Sequence, residues 1–290
     1  MLTIAYLGPA QTNTHVAALA KFGRKAAYLH TPTIDDVFHR VERREADFGV
    51  VPVENSLEGA VTHTLDRFID FIDTPVKIHG EIERHIRHAL ILHRGVKLID
   101  VGLVLSHPQA LAQCRSWLDR NLPDANRWET FSTAEAVDLM FHKKVLQDPK
   151  NQRHWVSANV RYRAAIGRRE LARGRKLRVI SIPEQRENKT RFLVLGLGEP
   201  SPGRYNKTSI LFAVKDRPGA LHDALVVFKR NRINLTKIES RPSKQKAWEY
   251  LFFIDVEGHE SEPRLKRAIK ALQRSTSLLR ILGSYPVTTR

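Results

Sequence analysis

The sequence predicts an α/β domain followed by a smaller α+β domain of ferredoxin-like plan, and three observations predict it. From residue 1 to about 197, short apolar runs alternate with helical stretches, the pattern of a mostly parallel sheet covered by helices. At Gly198-Glu199-Pro200-Ser201-Pro202-Gly203, two prolines and two glycines occur without an apolar residue, which suits an interdomain linker. Beyond it the elements read β-α-β-β-α-β over about 80 residues, the split βαβ order.

Taken in order, the alternating runs of the first domain include 3–7, 16–22, 48–52 and 89–92. Residues 101–105 are a further strand. Ser106-His107-Pro108-Gln109 then opens a helix running to about Asn121, with Ser106 as N-cap and an exposed helix N-terminus suited to an anion. In the second domain, 208–215 is a strand, 219–230 a helix, 233–241 a strand and 248–256 a third strand. Residues 262–272 form the second helix and 279–282 a short closing strand. A sheet of this kind has one open face and exposed edges, so pairing with a second copy is expected.

Composition bounds the function. With 290 residues the chain is too long for one compact core, and 42% apolar residues argue against disorder. The single cysteine, Cys114, can form no internal disulfide, which points to the cytoplasm. The N-terminus MLTIAYLGPA has no signal-peptide pattern, and no run of 18 apolar residues occurs that would cross a membrane. The net charge of +17 raises the prior for anionic partners. Ten basic residues against one acidic residue, Glu170, lie between Lys150 and Arg178. A solvated helical face explains them as well as a polyanion site does, and no nucleic-acid partner is expected.

Polar residues cluster where strands of the first domain end, the place at which open α/β sheets bind ligands. The three clusters are Gly8-Pro9-Ala10-Gln11-Thr12-Asn13-Thr14-His15, Pro52-Val53-Glu54-Asn55-Ser56-Leu57-Glu58-Gly59 and Asn188-Lys189-Thr190-Arg191-Phe192. Their hydroxyls, amides and arginine suit a small polar anion. The thirteen histidines are scattered without metal-ligand spacing, and there is neither a G-x-G-x-x-G nor a P-loop, so no metal and no cofactor is expected.

Tyr6-Leu7-Gly8-Pro9, Gly49-Val50-Val51-Pro52-Val53-Glu54-Asn55-Ser56, Ser106-His107-Pro108-Gln109-Ala110-Leu111 and Thr190-Arg191-Phe192 resemble the prephenate dehydratases in order and approximate spacing. Asp216-Arg217-Pro218-Gly219-Ala220-Leu221 and Ile238-Glu239-Ser240-Arg241-Pro242 are similar to the two signatures of that family's regulatory ACT domain. The resemblance implies a two-lobed, periplasmic-binding-protein-like catalytic domain over 1–197, with prephenate in its cleft. One lobe would be 1–77 with 180–197, the other 78–179. A linker at 198–206 and an ACT domain at 207–285 would follow.

The reaction so implied is the hydro-lyase conversion of prephenate to phenylpyruvate, carbon dioxide and water. Thr190 matches the family's essential threonine, as proton or hydrogen-bond donor to the departing hydroxyl. Thr12, Asn55, Ser56, His107 and Gln109 are the implied substrate-binding residues. Arg191 is either a bidentate partner of a substrate carboxylate or a structural salt-bridge partner. Glu54 would repel a dianion unless protonated or paired with a cation. In the ACT domain, Gly219, Ala220, Leu221, Asn234, Leu235, Glu239 and Ser240 are the implied L-phenylalanine site, shared between two copies, with Gly219 as a plain tight turn on the simpler reading. A homodimer or homotetramer follows.

Two departures from the family stand out. Gln11 and Asn13 flank Thr12 where the family usually carries glycine and phenylalanine, and loss of the glycine restricts that loop. Between His154 and Arg178, only Trp155-Val156-Ser157-Ala158 resembles the family's alanine-rich segment. The alternatives left open are a catalytically degenerate aromatic amino-acid sensor and an arogenate dehydratase. No helical segment precedes the first strand, so a fused chorismate mutase is not expected.

Overall fold

The computed structural model of the protein describes residues 1–70, 73–141, 162–183, 187–243 and 249–287. Trp155-Val156-Ser157-Ala158 and the basic residues from Lys150 to Arg161 lie outside them. The chain divides into two compact units. Met1–Gly8, Thr14–Arg84 and Thr190–Arg290 form the first, and Pro9–Asn13 with His85–Lys189 form the second.

The first unit opens with β1 (Thr3–Leu7), α1 (Asn13–Phe22), β2 (Ala27–Thr31), α2 (Ile34–Glu42), β3 (Phe48–Asn55), β4 (Gly59–Ala60), α3 (Thr62–Asp70) and β5 (Val76–His85). Helix α2 shows why such segments are helical. The Thr33 hydroxyl caps it by accepting from the Asp36 N–H at 3.1 Å, and Asp35 and Asp36 favour its positive N-terminus. Its buried residues Ile34, Val37, Phe38 and Val41 recur on one face.

The second unit holds β6 (Ala89–His93), β7 (Val101–Ser106), α4 (Pro108–Gln113), α5 (Arg115–Asn121), β8 (Asn126–Glu129), α6 (Thr133–Leu139), β9 (Tyr162–Gly167) and β10 (Leu177–Ser181). The chain then returns to the first unit as β11 (Lys189–Leu197). The lobe boundaries expected at 77/78 and 179/180 therefore fall at 84/85 and 189/190. Strand β5 runs unbroken through the first position, and β10 is laddered onto β6 in the second sheet.

Both sheets are mixed rather than mostly parallel. In the first, ordered β2-β1-β3-β11-β5, β1 pairs parallel with β2 and β3, but β11 runs antiparallel to β3. In the second, ordered β10-β6-β9-β7-β8, β7 is parallel to β8 and β9, and β6 is antiparallel to β9 and β10. The strands that leave and re-enter each sheet cause this. Ile86 N–H donates to the Asn188 carbonyl at 2.8 Å, so the returning chain starts where β5 ended and must run the other way.

The C-terminal sheet comprises β12 (Asn206–Ala213), α7 (Ala220–Arg230), β13 (Leu235–Pro242), β14 (Tyr250–Glu257), α8 (Pro263–Ser275) and β15 (Leu278–Pro286). Its order, β13-β14-β12-β15, is antiparallel throughout, and the ferredoxin-like plan holds. Ile210, Phe212, Ile254 and Val256 pack under the two helices with Phe228, Leu265 and Leu272. The alternate residues Leu211, Ala213, Leu251 and Phe253 face the other way, into one core with Val53, Leu65, Phe68, Ile78, Leu193 and Leu195. The face expected to lie open is thus closed by the first sheet of the same chain. Gly283 permits the approach, since a Cβ there would stand 2.2 Å from the Ile78 carbonyl oxygen.

Candidate active site

Strands β3 and β11 are neighbours, and their register sets Thr190 opposite Asn55. The Asn55 side-chain Nδ2 donates to the Thr190 hydroxyl oxygen at 2.9 Å, while its Oδ1 accepts from the Leu57 N–H at 3.0 Å. Both ends of the amide are therefore fixed in orientation. Thr190 receives this bond as an acceptor and keeps its own proton for another partner. A hydroxyl that accepts a hydrogen bond is polarised into a better donor. Ser56 follows in the exposed turn to β4, where Gly59 takes a left-handed φ of 84°. The ladder slips between Arg191 and Phe192, opposite Pro52, which has no N–H to give it.

Successive residues of a strand face opposite ways. Phe192 packs with Ile4, Tyr6 and Val50, whereas Arg191 points to the C-terminal sheet. Its guanidinium meets Asp255 of β14 at 3.0 Å, Glu81 of β5 at 3.3 Å, and Glu54 of β3. Lys207 of β12 pairs with Glu81 at 2.8 Å, and Lys237 of β13 with Glu54 at 3.3 Å. Ser209 donates to Asp255 at 2.6 Å. The substrate-carboxylate role for Arg191 gives way to the salt-bridge one, because three carboxylates already surround its guanidinium. Burial pulls the Arg191 pKa down, but Asp255, Glu81 and Glu54 outweigh it and raise it above the ordinary value. Burial likewise opposes ionisation of Glu54, yet the charges and hydrogen bonds of Arg191 and Lys237 hold its pKa below the usual range. Glu54 is accordingly an ionised, cation-paired carboxylate.

Sequence reasoning missed Glu81, Lys207, Lys237 and Asp255. The available signal was charge inside strands, as with Asp255 in the apolar run Leu251-Phe252-Phe253-Ile254-Asp255-Val256.

In the second unit Ser106 is not the cap. It ends β7, fully buried, with its hydroxyl donating to the Ile166 carbonyl at 2.8 Å. His107 caps α4 instead, its Nδ1 accepting from the Gln109 N–H at 3.3 Å. That bond places the proton of a neutral imidazole on Nε2. The expected helix to Asn121 breaks at Cys114 into α4 and α5. Gln109 is exposed in the first turn of α4, and Thr12 is half-buried just before α1. Asn188 serves the structure: it is 1% exposed and donates to Gln113 at 2.8 Å. Where described, the basic stretch is not a helical face but strand β9, a 3-10 turn at Arg169–Ala172 and β10. Arg175 is spent on Asp138 at 2.8 Å. Among the described residues no group of three His, Cys, Asp or Glu could hold a metal ion, and no helix is long and apolar enough to cross a membrane.

In the C-terminal sheet, Gly219 caps α7 with a left-handed φ of 77°, followed by Ala220 and Leu221 in the first turn. Asn234 lies before β13, donating to Glu257 at 3.2 Å, and Leu235 begins that strand. The register sets Leu235 level with Val256 and Thr208, and Arg241 level with Leu251 and Ala213. Gly219 follows the Ala213 end, so Asn234 and Leu235 sit at the opposite end of the sheet, roughly 20 Å along the strand. Glu239 and Ser240 are consecutive and face opposite sides of the sheet.

Two mixed α/β sheets with a strand-borne threonine–asparagine pair, extended by a C-terminal βαββαβ sheet, define a periplasmic-binding-protein-like domain joined to an ACT domain. Comparison with known proteins narrows the class. A family model described as prephenate dehydratase matches residues 4–200, and one described as ACT domain matches residues 208–274. The bifunctional chorismate mutase/prephenate dehydratase of Aquifex aeolicus is 46% identical over 287 residues, covering 98% of this chain and 74% of that protein. The prephenate dehydratase of Methanocaldococcus jannaschii is 39% identical over 261 residues, covering 88% and 86%. The crystal structure of the Arthrobacter aurescens prephenate dehydratase in complex with L-Phe superposes with a TM-score of 0.85 at 31% identity, covering 99% of this chain and 90% of that one. The chain belongs to the prephenate dehydratase family.

Proposed function

We propose that this chain is a carbon–oxygen lyase that converts prephenate to phenylpyruvate, carbon dioxide and water. The observation that carries the reading is the Asn55-to-Thr190 hydrogen bond, which leaves the threonine proton available on a fixed strand. In the reaction the C–C bond to the ring carboxylate breaks, and its electron pair enters the ring as the C–O bond to the ring hydroxyl breaks. The departing hydroxide takes a proton to become water. Aromatisation drives the step, so the protein has only to orient the dianion and support the leaving oxygen. Thr190 donates to that oxygen, and solvent replaces the proton. Asn55, Ser56, Thr12, His107 and Gln109 supply the substrate's polar contacts. Glu54, neutralised by Arg191 and Lys237, does not repel the substrate as a bare carboxylate would.

L-phenylalanine regulates the enzyme through the ACT domain, with Gly219–Leu221 of one copy and Asn234–Leu235 of another forming the site together with Glu239 and Ser240. Support comes from the separation of those two groups within one chain, which a single amino acid cannot span. A homodimer or homotetramer built through ACT edges follows, and Ile238 on edge strand β13 is 48% exposed. The chain's single cysteine is buried and has no second cysteine with which to form an internal disulfide, in keeping with a cytoplasmic enzyme.

The test mixes the purified chain with prephenate and follows phenylpyruvate by its absorbance in alkali, with and without L-phenylalanine, beside Thr190→Ala. Turnover that falls with phenylalanine and vanishes in the variant supports the reading. No turnover, with phenylalanine still raising Tm by binding the folded state, would leave an amino-acid sensor on this fold. Turnover of arogenate in preference to prephenate would move the assignment to that substrate.

A further inference from the structure

Three described residues other than glycine have positive φ: Gln11 at 65°, Arg44 at 60° and Arg232 at 53°. Arg44 and Arg232 directly follow the C-caps of α2 and α7, where a left-handed residue closes a helix in the ordinary way. Gln11 follows no helix. It lies in the loop between β1 and α1, next to Thr12, in a conformation that disfavours any side chain. The loop holds it by a contact from elsewhere in the second unit, where the Arg168 guanidinium Nη2 donates to the Gln11 carbonyl oxygen.

Arg168 is built to do this. It follows β9, which sits at the centre of the second sheet. Its position is fixed on both sides. The preceding Gly167 is packed so closely that a Cβ would stand 2.9 Å from Leu171 Cδ1, and the Arg168 carbonyl accepts from the Leu171 N–H at 3.0 Å. The residue is 9% exposed, and Glu170 lies 4.0 Å from its guanidinium.

We propose that Arg168 is a positioning residue that clamps the Gln11 carbonyl, holds the left-handed turn where glycine would fit without strain, and thereby presents Thr12 to an anionic substrate. This rests on the reading that Thr12 contacts prephenate. A charge-assisted hydrogen bond from the end of a central strand supports the strained turn. The clamp acts on substrate affinity more than on the bond-breaking step, because it holds the backbone of the loop that carries Thr12.

The experiment compares wild type, Arg168→Met, Arg168→Lys, Gln11→Gly and the Arg168→Met/Gln11→Gly double variant. Amide exchange over residues 10–13 is read on the substrate-free full chain, so it does not depend on turnover. Loss of one such bond is expected to speed that exchange about tenfold and raise KM for prephenate about tenfold, with kcat falling less than about threefold. In the double variant, glycine accepts the turn without the clamp, and exchange and KM return most of the way toward wild type. Exchange at the wild-type rate in Arg168→Met overturns the clamp. Faster exchange with unchanged KM leaves the clamp but overturns the role of the loop in substrate binding. A wild type without prephenate turnover sinks the proposed activity while the exchange comparison still judges the clamp. Should Arg168→Met fail to fold, Arg168→Lys, shorter in reach and without the guanidinium fork, carries the same comparison.

Discussion

Removing the hydroxyl of Thr190 deletes the proton donor proposed for the departing oxygen, a group that accepts from Asn55 across the β3–β11 pair. Thr190→Ala is expected to lower kcat by about 100-fold to 10,000-fold, the usual span for a lost general acid, with KM for prephenate little changed. Thr190→Ser keeps the hydroxyl and should stay within about tenfold of wild type. An alanine variant as active as the threonine would remove Thr190 from the chemistry. Arg191 makes the opposite prediction. Its guanidinium is held by Asp255, Glu81 and Glu54, so Arg191→Met should leave three carboxylates sharing two lysines and destabilise the fold by about 3–5 kcal/mol. The urea midpoint reads that loss, and KM should stay within about twofold. A tenfold rise in KM in a folded variant would restore Arg191 as a substrate ligand. Thr190 and Asn55 were legible in the sequence because each lies in a short run of polar residues at a strand end. Two of the three partners of Arg191, Glu81 and Asp255, were not, since they come from strands β5 and β14, which local pattern does not bring together.

At the level of elements, strand positions came through where alternation or a continuous apolar run is strong, as for β1, β3, β7 and β14. Helix ends came through less well. Ser106 has the chemistry of a cap, but the strand hydrogen bonds of β7 extend through it, so the next residue, His107, takes the capping role. The sheets were read as mostly parallel because apolar runs do not carry strand direction. What turns β11 around is the chain's return from the second unit. One close approach between elements is also invisible to pattern: β15 lies against β5, with Gly283 over the Ile78 backbone, the Lys77 ammonium donating to the Ile281 carbonyl at 2.9 Å and Arg280 donating to the Thr74 carbonyl. Gly283→Ala would force a Cβ into backbone atoms that cannot rotate aside. It should cost about 1–3 kcal/mol or more, the usual scale of overpacking, and lower the urea midpoint. Gly95→Ala is the control, since a Cβ there meets nothing within 4 Å and the cost is only that of its left-handed φ of 82°. Equal effects from the two would show that the contact at Gly283 is not tight.

Over the whole molecule, the ACT sheet is the lid of the first sheet's core rather than an appendage on a linker. Sequence could not tell a covered face from an open one, because Leu211, Ala213, Leu251 and Phe253 alternate in the same way in both cases. Charge placement does distinguish them. Lys237 and Arg241 share the inner face of β13, and each meets a carboxylate of the first sheet's layer, Glu54 and Asp66, the latter at 2.9 Å. The junction should therefore answer to acid. In the unfolded chain Glu54 titrates near its ordinary value, whereas the folded protein holds it lower through Arg191 and Lys237, which outweigh its burial. Between those two values the unfolded chain binds the proton and the folded chain does not. Its contribution is thus present in full above the ordinary carboxylate range and is lost as pH falls through the folded value. Glu54→Gln removes that term at every pH. The variant should melt below wild type at pH 7, and the gap should close as both are taken down through pH 4 and below. Parallel Tm curves over that range would mean that Glu54 ionises alike in the folded and unfolded chains, and that the Arg191 cluster does not hold the two sheets together by charge.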